Sequence, residues 1–224
     1  MKKYEFTGET KDFCGVELHR IRALKDFGDV AAGDLGGWIK GEGNLSHDGR
    51  CWVSGNAQVS GDAWVSDDAR VFGDARVFGD ARVYGNARVY GNARVSGNAQ
   101  VSGDAWVSDD ARVYGNARVY GNARVAGDAQ VFGDARVFGD ARVVGDAEIK
   151  APKDTFWISA IGSRYGTTTF FRCADGKVRV ACGCFYGDLD EFAAKVQKTH
   201  GDNKHGKVYK KLIELAKIQM EEDV

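Results

Sequence analysis

The sequence predicts a mainly β protein whose centre is a coil of short strands, and three observations predict it. Residues Val53 to Glu148 are sixteen consecutive six-residue units on the pattern V-x-G-[DN]-A-[RQW], with Asp in the Gly place at 67 and 109, Glu148 at the last position, and no insertion or deletion. Within each unit junction the Ala and the Val lie two residues apart, as in Ala75 and Val77, so both can occupy one side of a short strand. Gly-Asp or Gly-Asn then supplies a corner, because glycine tolerates left-handed backbone angles and Asp or Asn bonds its own neighbouring backbone. A repeat this regular is an architecture before it is a function.

The unit resembles the hexapeptide repeat of left-handed parallel β-helices, in which three units make one triangular coil. That resemblance implies the parallel stacking and the left hand. The strict unit covers about two fifths of the chain, and the frame is also read upstream, at Gly43-Asn44-Leu45 and Gly49-Arg50-Cys51-Trp52. Eighteen units make about six coils, a prism on the order of 30 Å long at roughly 4.8 Å per coil. The expected organisation is an N-terminal β cap over residues 1–40, the β-helix over 41–150 and a small α+β module over 151–224.

The two flanks follow from local signals. Tyr4 to Thr7 and Val16 to Ala23 read as strands, followed by a Gly- and Asp-rich stretch leading into the first coil. A solenoid end exposes unpaired strand edges and needs cover. Leu24 to Ile39, LKDFGDVAAGDLGGWI, resembles the segment that leads into the coil of bacterial and phage hexapeptide proteins, some labelled acyltransferases. After Ile149, Lys150-Ala151-Pro152-Lys153 holds the only proline and marks a junction. Phe156 to Ile161, Thr167 to Cys173 and Lys177 to Phe185 read as three strands, the last two joined by a hairpin at Ala174-Asp175-Gly176. Asp188 with Glu191 is a capping box for a helix ending at Gly201, and a second helix runs from about Lys204 to Glu222. This β-β-β-α-α tail is similar to phage and prophage proteins of unassigned role.

Composition narrows the function classes. The formal charge is −1, divided as −1 over residues 1–52, −3 over 53–148 and +3 over 149–224, which gives no general attraction for nucleic acid or an anionic membrane. No stretch is apolar enough for a membrane span, and the first residues lack a signal peptide's apolar run, so a cytoplasmic protein is expected, in the host cell if phage-encoded. Five scattered cysteines point to reduced thiols rather than a disulfide framework. Cys173, Cys182 and Cys184 with the downstream histidines form a weak zinc pattern, and strand alternation explains the same spacing, so no metal is assigned.

Function is expected at the outward positions of the coil. Ten aromatic residues flank the inward valines: Trp64, Phe72, Phe78, Tyr84, Tyr90, Trp106, Tyr114, Tyr120, Phe132 and Phe138. Folding the frame into three faces puts Arg76, Arg94 and Arg112 on one, Arg82, Arg118 and Arg136 on another, and Arg70, Arg88, Arg124 and Arg142 on the third. Two readings compete. Arginines stacked over rings and neutralised by corner aspartates would make a stable solvated surface. Alternatively these aromatics, with Arg82, Arg118 and Arg136, anchor an interface between copies or with another protein.

The catalytic inventory is poor. Hexapeptide acyltransferases, which the coil resembles, use a histidine base and loops protruding from the coils, whereas the sixteen units hold neither; the three zinc-binding histidines of the related γ-carbonic anhydrases are absent too. His19 and His47 fall in the cap, His200 and His205 near the inter-helix turn. The reading is therefore a non-catalytic oligomeric scaffold or binding protein without a cofactor. A trimer is favoured, with a host protein as partner if the chain is phage-encoded. The alternative is an acyl-CoA-dependent transferase with its site at a subunit boundary, using His47 or a C-terminal histidine. Nucleic acid on the Arg and aromatic rows is the weakest reading, opposed by the interspersed aspartates.

Overall fold

The computed structural model describes residues 2–220 and shows a parallel β-solenoid of about six coils, closed at each end. Three strands precede the coils: β1 (Tyr4–Phe13), β2 (Val16–Ala23) and β3 (Leu35–Ile39). Seventeen two-residue strands follow, from β4 (Trp52–Val53) to β20 (Glu148–Ile149). Four antiparallel strands, β21 (Thr155–Ile161), β22 (Gly166–Arg172), β23 (Val178–Cys182) and β24 (Phe185–Asp188), lead to α1 (Leu189–His200) and α2 (Lys204–Met220).

Each coil is three units long, so residues eighteen apart stack. Arg76, Arg94 and Arg112 lie on the first face, Arg82, Arg118 and Arg136 on the second, and Arg70, Arg88, Arg124 and Arg142 on the third. The inward Val and Ala side chains are fully buried along the whole prism, for example Val77, Ala81 and Val83. Burying each valine contributes about 1.5–3 kcal/mol. Uniform small and branched side chains keep every layer the same size, so coils stack without steps.

The corners are left-handed at glycine, as at Gly79 and Gly103 with φ of 72° and 66°. A Cβ on Gly79 would stand 2.9 Å from the backbone nitrogen of Gly97 in the next coil, so close axial stacking also demands glycine. Two units depart from this rule. Asp67 and Asp109 occupy the glycine place at φ 57° and 58°. Their carboxylates use the axial direction of Cβ: Asp67 accepts from the Gly85 N–H at 2.9 Å and Asp109 from the Gly127 N–H at 3.2 Å.

The stack has a chemical direction. Most backbone N–H groups that bridge two coils donate to carbonyls of the following coil, as Arg76 N to Ala93 O at 2.9 Å and Phe78 N to Val95 O at 3.0 Å. The first end is therefore richer in free carbonyls and the last in free N–H groups, and the two ends favour different covers. At the first end β3 donates Trp38 N to Ala57 O and Lys40 N to Val59 O. The Lys3 ammonium donates to Cys51 O at 2.9 Å and the Tyr4 hydroxyl to Leu45 O at 3.0 Å. At the last end the covers include acceptors, although Ala174 N also donates to Asp146 O at 3.1 Å. Thr169 Oγ1 takes the Arg142 N–H at 3.0 Å, and Asp154 Oδ2 takes the Lys150 and Ala151 N–H groups at 2.9 and 2.8 Å.

Hydrophobic closure follows the same logic. Tyr4, Ile21, Ala23, Val30 and Trp52 seal the first coil, and Phe171, Cys173 and Ala181 from the four-stranded sheet join the far end of the same core. The other side of that sheet packs against the helices through Phe170, Val180, Phe192, Val196, Leu212, Ile213 and Ala216. The tail is thus a lid whose sheet lies between the last coil and the helices. Its helix 1 has the expected capping box, Glu191 N to Asp188 Oδ1 at 2.8 Å and Asp188 N to Glu191 Oε2 at 3.0 Å.

Four expectations are corrected. The first strand runs to Phe13, and the Gly-rich stretch before the coils contains a third strand. Gly36 and Gly37 are there because a Cβ on Gly36 would meet Ile21 at 2.4 Å, and one on Gly37 the Ala57 carbonyl at 2.7 Å. The coil frame does not extend through residues 43–45: Leu45 pairs with Val65, so it takes a valine place, and two extra residues separate it from Val53. The Asn44 side chain fills the broken ladder by donating to Gly61 O and Ala63 O at 3.1 and 2.8 Å. The third strand of the tail is two, β23 and β24, because Gly183 at φ 58° turns the chain inside the Cys182-Gly183-Cys184 run. Helix 2 is described to Met220; residues 221–222 of its expected range lie outside the described residues.

Candidate binding faces

The thirteen residues expected to form an interface are distributed over all three faces. Phe78, Tyr114 and Phe132 lie on the first; Trp64, Tyr84, Tyr120, Phe138, Arg82, Arg118 and Arg136 on the second; Phe72, Tyr90 and Trp106 on the third. The second face thus gathers seven of them. Parallel stacking brings aromatic residues together in pairs: Phe72 with Tyr90, Tyr114 with Phe132, and Tyr120 with Phe138, at centroid separations of 4.9, 4.8 and 5.0 Å with rings 2° from parallel. Each pair stacks along the solenoid axis. Ring faces within a pair cover one another, and ring edges are what the surface presents. Where a row ends, another side chain closes it, as Trp157 of β21 does edge-on against Phe138 at 4.3 Å.

The arginine rows differ from the expected picture of guanidinium groups neutralised at the corners. Corner aspartates bond the corner asparagine of the preceding coil instead, as Asn86 to Asp104 at 3.0 Å, Asn92 to Asp110 at 3.1 Å and Asn122 to Asp140 at 2.8 Å. Between Arg50 and Arg142, the ion pairs found among the described residues are Arg50 with Asp68 and Arg70 with Asp29. The geometry explains it: corner side chains repeat along the axis in their own column, one coil spacing from their equivalents, and an amide–carboxylate pair fits that spacing. Positive stripes therefore run along the faces and acidic stripes along the corners.

Like charges one coil apart repel, and the breaks in the arginine rows fall where that is relieved. On the third face Trp106 stands between Arg88 and Arg124, which lie over its ring at 5.3 and 4.7 Å. On the other faces Gln130 ends the row and Gln100 interrupts it, accepting from the Tyr114 and Tyr84 hydroxyls at 3.2 and 3.5 Å. The third face carries a groove of about 650 Å³ with Arg70, Arg88, Trp106 and Arg124 on one side and the corner column Asp68, Asn86, Asp104, Asn122 and Asp140 on the other. Gly28 closes its first end. Burial, then the adjacent Arg88 charge, lowers the Arg70 pKa. Sequence reasoning missed Arg50, Asp68 and the Asp29 loop in this groove; the one signal was Arg50 in a frame position otherwise part of the corner.

The histidines are held by the caps. His47 Nδ1 accepts from the Lys3 N–H at 3.2 Å, its ring stacks on Tyr4 at 4.3 Å, and Nε2 is buried without a partner. Burial lowers its pKa. His200 and His205 lie 5.7 Å apart beside Tyr209. The cysteines are separated in role. Cys173 is buried under the lid, and burial with the neighbouring Asp146 pushes its pKa up to about 12; Cys182 accepts from Thr168 Oγ1 at 3.1 Å; Cys184 is exposed in the turn. No group of three His, Cys, Asp or Glu side chains able to hold a metal ion is found among the described residues. No helix among them is long and apolar enough to cross a membrane.

Comparison with known proteins matches the coils. The family model described as the YdcK beta solenoid repeat matches eight overlapping segments spanning residues 69–145. The match is to the repeat. Over 61 residues, 24% of the chain, the sequence is 39% identical to the uncharacterized acetyltransferase YdcK of Escherichia coli (strain K12). That stretch spans 19% of the relative, so the chain covers about a fifth of the curated protein it matches. Both findings support a hexapeptide-type solenoid.

Proposed function

We propose that the protein is a non-catalytic solenoid scaffold that acts by binding, through its flat faces and its capped ends. The observation that carries this reading is the loop-free run of faces on which every arginine but Arg70 stands without a carboxylate partner among the described residues and aromatic edges reach solvent, with Trp64, Phe78 and Phe138 the most open of these side chains. Arg and aromatic residues are the types that anchor interfaces. Ring faces consumed by axial stacking oppose a nucleic-acid role, since bases would find edges to meet and few faces to stack on.

Self-association into a trimer through the coil faces and a host protein as partner are the finer forms of this reading; the second rests on the resemblance of both flanks to phage proteins. Absolute molar mass of the full chain by light scattering tests the first. A three-chain mass that falls when Arg82, Arg118 and Arg136 are replaced by Glu is expected, and a single-chain mass at all concentrations overturns it.

Acyl transfer is the second reading, favoured by the name of the partial relative. The geometry of His47 opposes it as base: Nδ1 is already an acceptor and Nε2 is buried. Titration with acetyl-CoA by calorimetry decides between the two readings. Saturable heat with transfer to an amine or hydroxyl acceptor would replace the scaffold reading; absence of heat supports it.

A further inference from the structure

Helix 2 has more apolar surface than the lid can bury. Tyr209, Leu212, Ile213, Ala216 and Met220 face inward, while Val208, Leu215 and Ile218 are 36%, 45% and 75% exposed. With Lys204 and Lys211 they fall at alternating spacings of four and three residues, which place all five on one stripe along the outer side of the helix. At one end of α2 the turn between β21 and β22 carries Tyr165, 79% exposed at φ 50°, and the turn is anchored because the Tyr209 hydroxyl packs against Gly162 with no room for a Cβ. Tyr165 and Ile218 are the two most exposed large hydrophobic side chains among the described residues.

The stripe is also basic, with Lys204 and Lys211 in it and Lys207 beside it. Helix 2 holds five lysines and one glutamate. Lys210 pairs with Asp202 and Lys211 with Glu214, whereas Lys204, Lys207 and Lys217 have no ion-pair partner among the described residues.

We infer that this outer stripe of α2 is the docking site for an acidic amphipathic helix of a partner protein. The inference rests on the reading of the chain as a binding protein and assigns the binding to the lid. A four–three spacing is the one at which a second helix packs alongside, with apolar residues meeting along the seam. Lys204 within the seam and Lys207 beside it, neither with an ion-pair partner among the described residues, favour carboxylates opposite them. A second copy of this helix, fully overlapped, would bring Lys211 against Lys211 in either orientation. A lipid surface would have to take the Lys211–Glu214 pair beside the apolar stripe, whereas a protein partner can meet both charges.

The test uses the full chain, immobilised and exposed to lysate of the cells in which it occurs, beside the double variant Leu215→Ser/Ile218→Ser. Both positions are exposed, and unchanged circular dichroism checks that the fold is intact. The expected result is a protein retained by the wild type, retained about tenfold less by the variant, as when an interface anchor is lost. Carbodiimide treatment should join Lys204, Lys207 or Lys211 to Asp or Glu residues on one helix of that protein. Equal capture by both forms, or cross-links from coil residues instead, overturns this surface and leaves the binding reading standing. Capture of nothing sinks both. Sedimentation with phosphatidylglycerol vesicles that the variant abolishes assigns the stripe to membrane instead, and a molar mass that drops in the variant assigns it to self-association.

Discussion

Replacing Asp109 by alanine isolates what a carboxylate does at a left-handed corner. Two terms act. Alanine in the left-handed region costs about 1–2 kcal/mol relative to right-handed backbone, and Asp escapes part of this, leaving a difference of roughly 0.5–1 kcal/mol. The lost hydrogen bond from Gly127 N–H, 3.2 Å long and exposed, is worth about 0.5–1.5 kcal/mol. The variant should therefore be less stable by about 1–2.5 kcal/mol, a fall of about 2–10 °C in Tm for a chain of this size. Asp109→Gly loses the same bond but relieves the backbone, and should lie within about 0.5 kcal/mol of the wild type. Thermal melts followed by circular dichroism give the ranking, and amide exchange gives the location. Gly127 should exchange faster in the alanine variant, whereas Gly121, stacked on Gly103 with no carboxylate, should not change. An alanine variant as stable as wild type, or a glycine variant equally damaged, would refute the reasoning.

The ends give the remaining predictions. Lys3→Met leaves the Cys51 carbonyl unpaired at the open edge and should destabilise by about 1–3 kcal/mol, seen as a lower urea midpoint with an unchanged slope. Thr169→Val removes the acceptor of the Arg142 N–H and should cost about 1–2 kcal/mol in the same assay, with the loss confined to exchange of amides in the last coil. His47 makes the first cap acid-sensitive. Its folded pKa is lowered from 6.5 by burial, so as pH falls below 6.5 the unfolded chain takes up the proton first and stability declines until the folded value is passed. The slope should vanish in His47→Gln, and a wild type whose Tm is flat from about pH 7 to 5 would contradict the burial of that ring.

Much of the fold was legible because the repeat carries its own period. A six-residue unit folded in threes assigns every arginine to its face, and the residue pairs at eighteen positions apart are those that stack. Legibility failed where chain contacts override local signals. Gly36 and Gly37 read as loop, yet they lie in a strand because neighbours leave no space for a side chain. The shift before Val53 was hidden because Gly43 and Gly49 happen to keep the six-residue spacing while Leu45 does not keep the frame. The Cys182-Gly183-Cys184 run shows alternation in sequence, but a left-handed glycine makes it a turn. At the surface, residue types were readable and their directions were not. Nothing in a row of Phe and Tyr says that rings stack on each other, or that corner aspartates choose asparagines over arginines.

The duplication inside the coils bears on where specificity resides. The string SGNAQVSGDAWVSDDAR occurs at 54–70 and again at 96–112, forty-two residues or seven units apart, so its copies fall on different faces. Trp64 stands on the second face and Trp106 on the third, with different surroundings: Trp106 lies between two arginines, whereas Trp64 starts its row. What the copies keep is axial. Asp67 and Asp109 each hold the amide eighteen residues on, whichever corner they occupy. A device that works on any corner maintains stacking, and a lateral site tied to one face would not survive a seven-unit shift. The sequence segments used once are the covers: donors such as Lys3 and Tyr4 at one end, and the lid with Thr169, Asp154 and helix 2 at the other. Repeated coils can supply length, spacing and general adhesion. Selective recognition is expected at the non-repeating ends, which is why the outer stripe of the lid carries more weight as a partner site than any single coil face.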